Sequence, residues 1–282
     1  MGYGGDLIIT AAAREISQYY NKKIFPVNYH SRLDKLIFKK RFIWSAIFDN
    51  NIYFSKVKNR DNIILNRGLK KISYVERELN DRFIFKRNKH AVEIICEHFG
   101  VQAKNIEPEI FFSPQEYDWF NSYRKILPST YIVVEPHSKD DFTQNRAWDL
   151  EKWQKVVDEL SRHTSIVQLG SRGSKSLSNV TSIFDVSFRQ AGLILSEANL
   201  FMGTIGGLMH LAKAVKTPGV ILHSGYEPMY MASYPSNVNL FKKVECSPCG
   251  LNTLCKHNVK CINQVDSKLV VAHVNNILKD EN

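Results

Sequence analysis

The sequence lacks any long uninterrupted apolar run. A membrane-spanning helix needs about 20 mostly apolar residues, and the best candidate, residues 191–212, is interrupted by Ser196, Glu197 and Asn199. The first six residues also lack the basic segment and apolar core of a secretory signal. We therefore expect a cytoplasmic protein, free or peripheral at a membrane, whose five cysteines are reduced unless they bind metal.

Acidic residues are scarce relative to basic ones. Asp and Glu total 28 against 38 Lys and Arg, and the formal net charge of +10 divides into +8 over residues 1–125 and +2 over the remainder. Phosphates, nucleic acid or an acidic membrane surface are the partners that fit this balance. The 282 residues, 44% of them hydrophobic, suffice for one large domain or two ordinary ones and exclude a disordered chain.

The C-terminal half alternates short apolar runs with helical periodicity. This alternation favours a parallel sheet covered on both faces, which binds ligands beyond the carboxyl ends of its strands. The predicted strands are residues 131–134, 165–169, 199–203 and 219–222, and the predicted helices are 150–163, 188–197 and 207–215.

The N-terminal half has a weaker pattern of the same kind. Residues 7–20 and 88–99 predict helices, and residues 23–28 and 62–66 predict strands. The polar stretch 113–129, with its two prolines, is the best candidate linker. We therefore predict two α/β domains, residues 1–125 and residues 126–282.

Two glycines precede the first predicted helix. Gly4, Gly5 and Asp6 lie directly before it, and a glycine loop at a helix N-terminus can bring backbone amides close to an anion. Asp6 has two interpretations of equal weight: a helix cap, since Asp is a favoured N-cap, or a functional carboxylate. The glycine spacing is not that of a dinucleotide-binding fingerprint.

A long polar loop, residues 135–148, follows the first strand of the C-terminal half. Arg146 can bind a diphosphate through two hydrogen bonds, and a solvated loop position is the alternative. The further candidate donors to that diphosphate are Ser138, Lys139 and Thr143.

A glycine pair joins the strand at 199–203 to the helix at 207–215. Gly206 and Gly207 can bring backbone amides against a phosphate, and His210, one turn further on, can add a hydrogen bond. A lone histidine is more often an ordinary helix residue, but the glycine pair favours a phosphate site here.

Four cysteines lie within 16 positions near the C-terminus. Four sulfurs so close in sequence suit a tetrahedral zinc or iron site, although the spacing is not that of a common zinc ribbon. Reduced thiols without metal carry equal weight, and disulfides are less favoured in a reducing compartment. The four residues are Cys246, Cys249, Cys255 and Cys261; the fifth, Cys96, lies in an apolar helical pattern and is expected to be buried.

Together these motifs resemble the heptosyltransferase-like glycosyltransferases of family nine, over most of the chain and most strongly across residues 131–278. The Gly4-Gly5-Asp6 segment resembles the glycine-rich loop of that family, and Arg146-Ala147-Trp148 resembles its basic-x-Trp element. The segment 198–215, with Gly207 and His210, resembles its donor-binding strand and helix.

The resemblance implies the GT-B fold, with two Rossmann-like domains facing a central cleft. It implies that Asp6 is the base that deprotonates the acceptor hydroxyl and that Arg146 holds the donor diphosphate. It also implies a β-strand before the glycine loop, whereas this sequence begins at the loop, and Asp-Thr where this chain has Ile205-Gly206. Backbone amides would replace that lost side-chain contact.

The predicted function is an inverting, metal-independent transfer of a heptose or related sugar. The donor is a nucleotide-diphosphate sugar, with ADP-heptose the best-known case, and the acceptor is lipopolysaccharide or another anionic surface glycan made at the inner membrane. Any zinc or iron at the cysteines is then structural.

Three other functions remain open on the sequence. They are a nucleotide-sugar epimerase or hydrolase, a degenerate transferase that binds without turnover, and a basic nucleic-acid-binding protein with a metal knuckle. The last is disfavoured because the cysteines lie in the half with the smaller charge excess.

Overall fold

Helices and strands alternate along the chain. The computed structural model describes residues 2–28, 39, 41–68, 72–73, 75–77, 82–85, 88–137 and 143–280. The helices are α1 (Tyr3–Tyr20), α2 (Ala91–His98), α3 (Pro114–Tyr123), α4 (Leu150–Leu160), α5 (Phe188–Ser196), α6 (Gly207–Ala214), α7 (Lys260–Asn263) and α8 (Ser267–Asp280). The strands are β1 (Ile24–Asn28), β2 (Arg41–Phe42), β3 (Ile63–Asn66), β4 (Val75–Arg77), β5 (Phe83–Phe85), β6 (Tyr131–Glu135), β7 (Ser165–Leu169), β8 (Thr181–Ile183), β9 (Leu200–Thr204), β10 (Gly219–His223) and β11 (Val238–Phe241).

The C-terminal half contains a six-stranded sheet in the order β11-β10-β9-β6-β7-β8, in which every neighbouring pair is parallel. Alternate side chains of β6 enter two different cores: Ile132 packs with Trp153 of α4, and Val133 packs in the core shared with α1, α5 and α6. Burial on both faces explains why the strands are continuous apolar runs. The predicted parallel sheet is confirmed.

The N-terminal half contains a smaller sheet in the order β2-β1-β3, with β1 and β3 parallel. Helix α1 packs against α2 and also against α6 of the other half. One continuous apolar core therefore joins the two halves, running from α1 and α2 to α5, α6 and one face of the larger sheet. The proposed domain boundary at residue 125 stays a prediction.

The predicted linker, residues 113–129, forms helix α3 and a 3-10 turn over Arg124–Ile126 instead of an irregular segment. Ser113 accepts a hydrogen bond from the Glu116 amide while the Glu116 carboxylate accepts one from the Ser113 amide. This reciprocal capping box starts the helix. Pro114 occupies the first turn, where its missing N–H costs nothing.

Arg189 of α5 ties three segments together. Its guanidinium binds both carboxylate oxygens of Glu116 at 2.6 and 2.8 Å and donates to the carbonyls of Ala46 and Phe111 at 2.8 and 2.5 Å. The Arg189 side chain is buried, so if the guanidinium were removed, no water could replace it as the partner of these groups.

No helix of the described segments is both long and apolar enough to cross a membrane.

We predict that Arg189→Met lowers the free energy of unfolding by about 2–4 kcal/mol, because it leaves the Glu116 carboxylate and two carbonyls without their hydrogen-bond donor. Arg162→Met is the matched control, since Arg162 pairs with Glu159 on the surface and should change stability by less than about 0.5 kcal/mol. Urea unfolding measures both. Equal losses in the two variants would contradict the bridging role of Arg189.

Candidate active site

Helix α6 begins where β9 ends, at the carboxyl edge of the larger sheet. Gly206 is its N-cap and Gly207 its first residue, as the sequence predicted for a strand-to-helix junction. The amides of the first turn lack partners inside the helix, and the positive end of the helix dipole lies there. With no side chains at positions 206 and 207, this end can approach an anion closely.

Gly4 and Gly5 lie inside α1 and not in a loop before it, which corrects the prediction that the helix begins at residue 7. A side chain at Gly4 would lie 3.0 Å from Cδ2 of His210 and 3.3 Å from Cα of Gly207. The first turn of α1 therefore packs directly on the first turn of α6. Two helix N-termini meet, and Gly4 is needed for that contact.

Asp6 does not cap α1, because Gly2 is the N-cap and Asp6 lies within the first turn. It is buried, with 4% of its surface exposed, and its carboxylate pairs with the Arg67 guanidinium. Burial raises the pKa of Asp6, while Arg67 and a hydrogen bond with Ser45 oppose that rise. Asp6 is thus a buried carboxylate paired with Arg67 and not a helix cap.

Arg67 was missed by the sequence reasoning. It directly follows β3, and its amide bonds the carbonyl of Val27 in β1. It therefore lies at the carboxyl edge of the smaller sheet, where ligand-binding side chains collect. Its position after a predicted strand was the available signal.

His210 is buried in α6 and accepts or donates a 2.7 Å hydrogen bond between its Nδ1 and the Tyr234 hydroxyl. Burial, together with smaller contributions from the nearby His90 and Arg146, lowers the pKa of His210 to about 3. The imidazole is therefore neutral at physiological pH. A neutral ring can offer one N–H to a ligand oxygen.

Arg146 contacts a carboxylate that the sequence reasoning did not identify. Its Nε and Nη2 bind Glu227 at 2.9 and 2.7 Å, and its guanidinium lies 5.0 Å from the ring centroid of Tyr226. Glu227 is only 3% exposed, and its burial raises its pKa while Arg146 opposes the rise. The pair orients the guanidinium near His210.

Thr143, a candidate donor to the diphosphate, makes hydrogen bonds within the protein. Its buried hydroxyl accepts from the Asn145 amide, which caps the 3-10 turn Gln144–Arg146, and donates to the Leu251 carbonyl at 3.3 Å. That O–H is already used, so a direct contact with a phosphate is not supported. The other two predicted donors of this loop, Ser138 and Lys139, lie outside the described residues.

Glu135 is a second carboxylate that the sequence reasoning did not assign. It ends the central strand β6, and its Oε2 would lie 3.6 Å from a Cβ added at Gly206. Burial raises the pKa of Glu135 to about 8, so the group is largely neutral at pH 7. A protonated carboxyl can donate a hydrogen bond beside an anion that a carboxylate would repel.

The four clustered cysteines are free thiols and line one cavity of about 100 Å³. Burial raises the pKa of Cys249 and of Cys261, and the neighbouring thiols raise both further. Within the described ranges, no three His, Cys, Asp or Glu side chains are arranged closely enough to hold a metal ion. The fifth cysteine, Cys96, is buried in α2 as predicted.

The segment that carries the four cysteines, residues 246–261 (the cysteine loop), makes backbone hydrogen bonds beside the Arg146–Glu227 pair and supports it. The amides of Cys249 and Gly250 donate to the carbonyls of Gly225 and Tyr226, both at 2.9 Å. Asn145, next to Arg146, donates to two carbonyls of the same loop at 2.6 and 2.9 Å. The site therefore combines amides at two helix starts, a neutral imidazole, an oriented guanidinium and a buried carboxylate.

Comparison with known proteins finds the same family that the motifs indicated. The family model for glycosyltransferase family 9 (heptosyltransferase) matches residues 77–258. Lipopolysaccharide heptosyltransferase 3 of Escherichia coli K12 is 22% identical over 165 residues, which are 54% of this chain and 47% of that protein. The chain thus spans about half the length of this curated relative.

Solved structures share the fold. The iron-containing dodecameric glycosyltransferase TibC from enterotoxigenic E. coli H10407 superposes with a TM-score of 0.70 at 14% identity, covering 100% of this chain and 75% of that one. The heptosyltransferase TibC in complex with ADP-D-beta-D-heptose gives 0.68 at 15% identity with the same coverage. These likenesses confirm the predicted GT-B fold. Since the family model covers well over half of the sequence, the chain belongs to glycosyltransferase family 9.

Proposed function

We propose that this protein is an inverting glycosyltransferase that moves a heptose from ADP-heptose to a lipopolysaccharide or related surface glycan. The observation that carries the proposal is the meeting of α1 and α6 at Gly4 and Gly207. Two positive helix ends at one point make a site for the diphosphate of a nucleotide sugar. The donor identity rests on the ADP-heptose complex of TibC, and the acceptor on the name of the E. coli relative.

In this mechanism the leaving diphosphate gains charge as its bond to the sugar breaks. The amides at the start of α6, the N–H of His210 and the Arg146 guanidinium are fixed donors around that charge, and preorganised donors of this kind lower the barrier. The acceptor oxygen forms the new bond from the opposite face, which inverts the anomeric carbon.

Asp6 takes the proton of the acceptor hydroxyl. A sugar hydroxyl is a poor nucleophile at neutral pH, so a positioned base must accept its proton during attack. The raised pKa of Asp6 makes it a better proton acceptor, and Arg67 keeps its carboxylate in one orientation.

Burial of Asp6 favours one alternative function, a protein that binds the donor without turning it over. A carboxylate that is almost fully covered reaches an acceptor only if Arg67 or its surroundings move. Measurement of transfer separates this alternative from catalysis.

The basic N-terminal half faces the acceptor in this proposal. Its +8 charge suits an anionic glycolipid at the surface of the inner membrane. The protein would then work at the cytoplasmic face as a peripheral enzyme.

The cysteine loop would hold a structural metal. The four thiols line one small cavity but are not close enough together in this structure to hold a metal ion, so binding would have to draw them together, and the cation would offset their mutual repulsion once they are deprotonated. TibC is described as iron-containing. A metal bound by Cys246, Cys249, Cys255 and Cys261 would rigidify the loop that braces Arg146 and takes no part in transfer.

The nucleotide is tested by thermal shift with ADP, UDP, GDP and CMP. We expect ADP alone to raise the melting temperature, since a ligand at 100 times its Kd adds about 2.7 kcal/mol to the free energy of unfolding. A response to a pyrimidine nucleotide would overturn the assignment of ADP-heptose. No response to any nucleotide would overturn the transferase proposal.

We predict that Asp6→Asn lowers kcat by at least about a hundredfold, because the amide cannot accept the proton. ADP affinity should stay within about twofold, since Asp6 acts on the acceptor. Asp61→Asn, on an exposed loop residue of the same half, is the control and should leave both values unchanged. Transfer at the wild-type rate by Asp6→Asn would exclude Asp6 as the base.

We predict about one equivalent of zinc or iron per chain in protein purified without chelator. The paired variant Cys246→Ser/Cys249→Ser should lose the metal, whereas Cys96→Ala should retain it, because Cys96 lies in α2 away from the loop. Elemental analysis measures the content. Less than about half an equivalent in the wild type would contradict the thiolate site.

A further inference from the structure

Tyr234 lies between two imidazoles in the core behind α6. It is fully buried, its ring centroid is 5.6 Å from those of both His90 and His210, and its hydroxyl is 2.7 Å from Nδ1 of His210. Its backbone carbonyl accepts a hydrogen bond from the side-chain Nδ2 of Asn239 at 3.0 Å. This contact holds the backbone of Tyr234, and the surrounding core encloses its ring.

His90 is not an acceptor for that hydroxyl. Its Nδ1 accepts from the amide of Val92 at 3.2 Å, which caps α2. Burial lowers the pKa of His90 to about 4, so the ring is neutral and its one proton must lie on Nε2. Of the two neighbouring imidazoles, it is therefore His210 whose Nδ1 can accept from the Tyr234 hydroxyl.

The relative acidities of the two groups favour donation from the Tyr234 hydroxyl to Nδ1 of His210, 2.7 Å away, over the reverse. A phenol O–H is a stronger acid than the N–H of a neutral imidazole, and an imidazole nitrogen is a better acceptor than a phenol oxygen. The partner of one ring nitrogen decides which nitrogen carries the proton. The proton of His210 then lies on Nε2.

The Cδ2 side of the His210 ring lies at the meeting point of the two helices. Cδ2, the ring carbon bonded to Nε2, is the atom that a side chain at Gly4 would touch at 3.0 Å, on the opposite side of the ring from Tyr234. Gly207, at the start of α6, lies one turn before His210.

We propose that Tyr234 is a positioning residue that holds His210 in the Nε2–H tautomer, so that this N–H donates to a phosphate oxygen of the donor. The donation to a phosphate rests on the proposed function, whereas the tautomer of His210 does not. Without the hydroxyl, the proton would be shared between the two nitrogens, and an unprotonated Nε2 would repel the phosphate.

The tautomer is tested in protein without ligand. Long-range ¹H–¹⁵N correlation of histidine-labelled protein at pH 7 distinguishes protonated from unprotonated ring nitrogens, and His210→Gln assigns the signals. We expect Nε2–H alone in the wild type and a mixture of both tautomers in Tyr234→Phe. Tyr131→Phe is the matched control, because Tyr131 is equally buried but donates its hydroxyl to the Ile194 carbonyl at 2.7 Å.

The consequence is tested by titration with ADP. Tyr234→Phe should weaken ADP binding by about tenfold, the effect of losing one hydrogen bond to a charged oxygen, while Tyr131→Phe should bind as the wild type does. An unchanged tautomer in Tyr234→Phe, or the Nδ1–H form in the wild type, would overturn the proposal. Failure of the wild type to bind ADP, with the predicted tautomer change, would contradict the proposed function and leave the role of Tyr234 on His210 standing.

Discussion

The contact between the first turns of α1 and α6 is the constraint on which the rest of the site depends. A Cβ at position 4 would lie 3.3 Å from Cα of Gly207 and 3.0 Å from the His210 ring, so a larger residue there forces one of these neighbours to shift. The contact brings two unpaired sets of helix amides together and joins the halves of the chain at one point. A site for a diphosphate follows from this approach of two backbones.

The side chains around that point are each held by a partner outside it. Glu227 orients Arg146, Arg67 orients Asp6, and Tyr234 binds His210. These partners come from loops that follow strands, and the cysteine loop braces one of them through backbone hydrogen bonds. Preorganisation of this kind fixes donors where charge develops, at the cost of burying ionised groups that only their partners make tolerable.

Much of the larger sheet could be predicted from the sequence, because β6, β7, β9 and β10 are apolar on both faces. The two edge strands, β8 and β11, are short and more polar, so their pattern did not distinguish them from loops. Position 7 was predicted as the start of α1 because glycines weaken a helical pattern. Gly4 and Gly5 are helical here because packing against α6 outweighs that propensity.

The site residues also divide into those that a local sequence pattern indicates and those that it does not. Gly206, Gly207 and His210 carry a local signal, a glycine pair between a strand and a helix. Arg67, Glu135 and Glu227 carry none beyond their position at or after the end of a strand, because their roles depend on partners distant in sequence. Thr143 had the right chemistry for a phosphate, but the backbone of the cysteine loop already uses its hydroxyl.

Calorimetric titration of ADP into wild type, Gly4→Ala and Gly2→Ala tests the central claim most directly. A methyl group at Gly4 must displace the His210 ring or the start of α6 by a few tenths of an ångström, whereas one at Gly2 meets no atom within 4 Å. We predict that Gly4→Ala weakens ADP binding by at least about tenfold and that Gly2→Ala does not. Equal affinity in all three proteins, or no binding by the wild type, would contradict a diphosphate site built from the two helix starts.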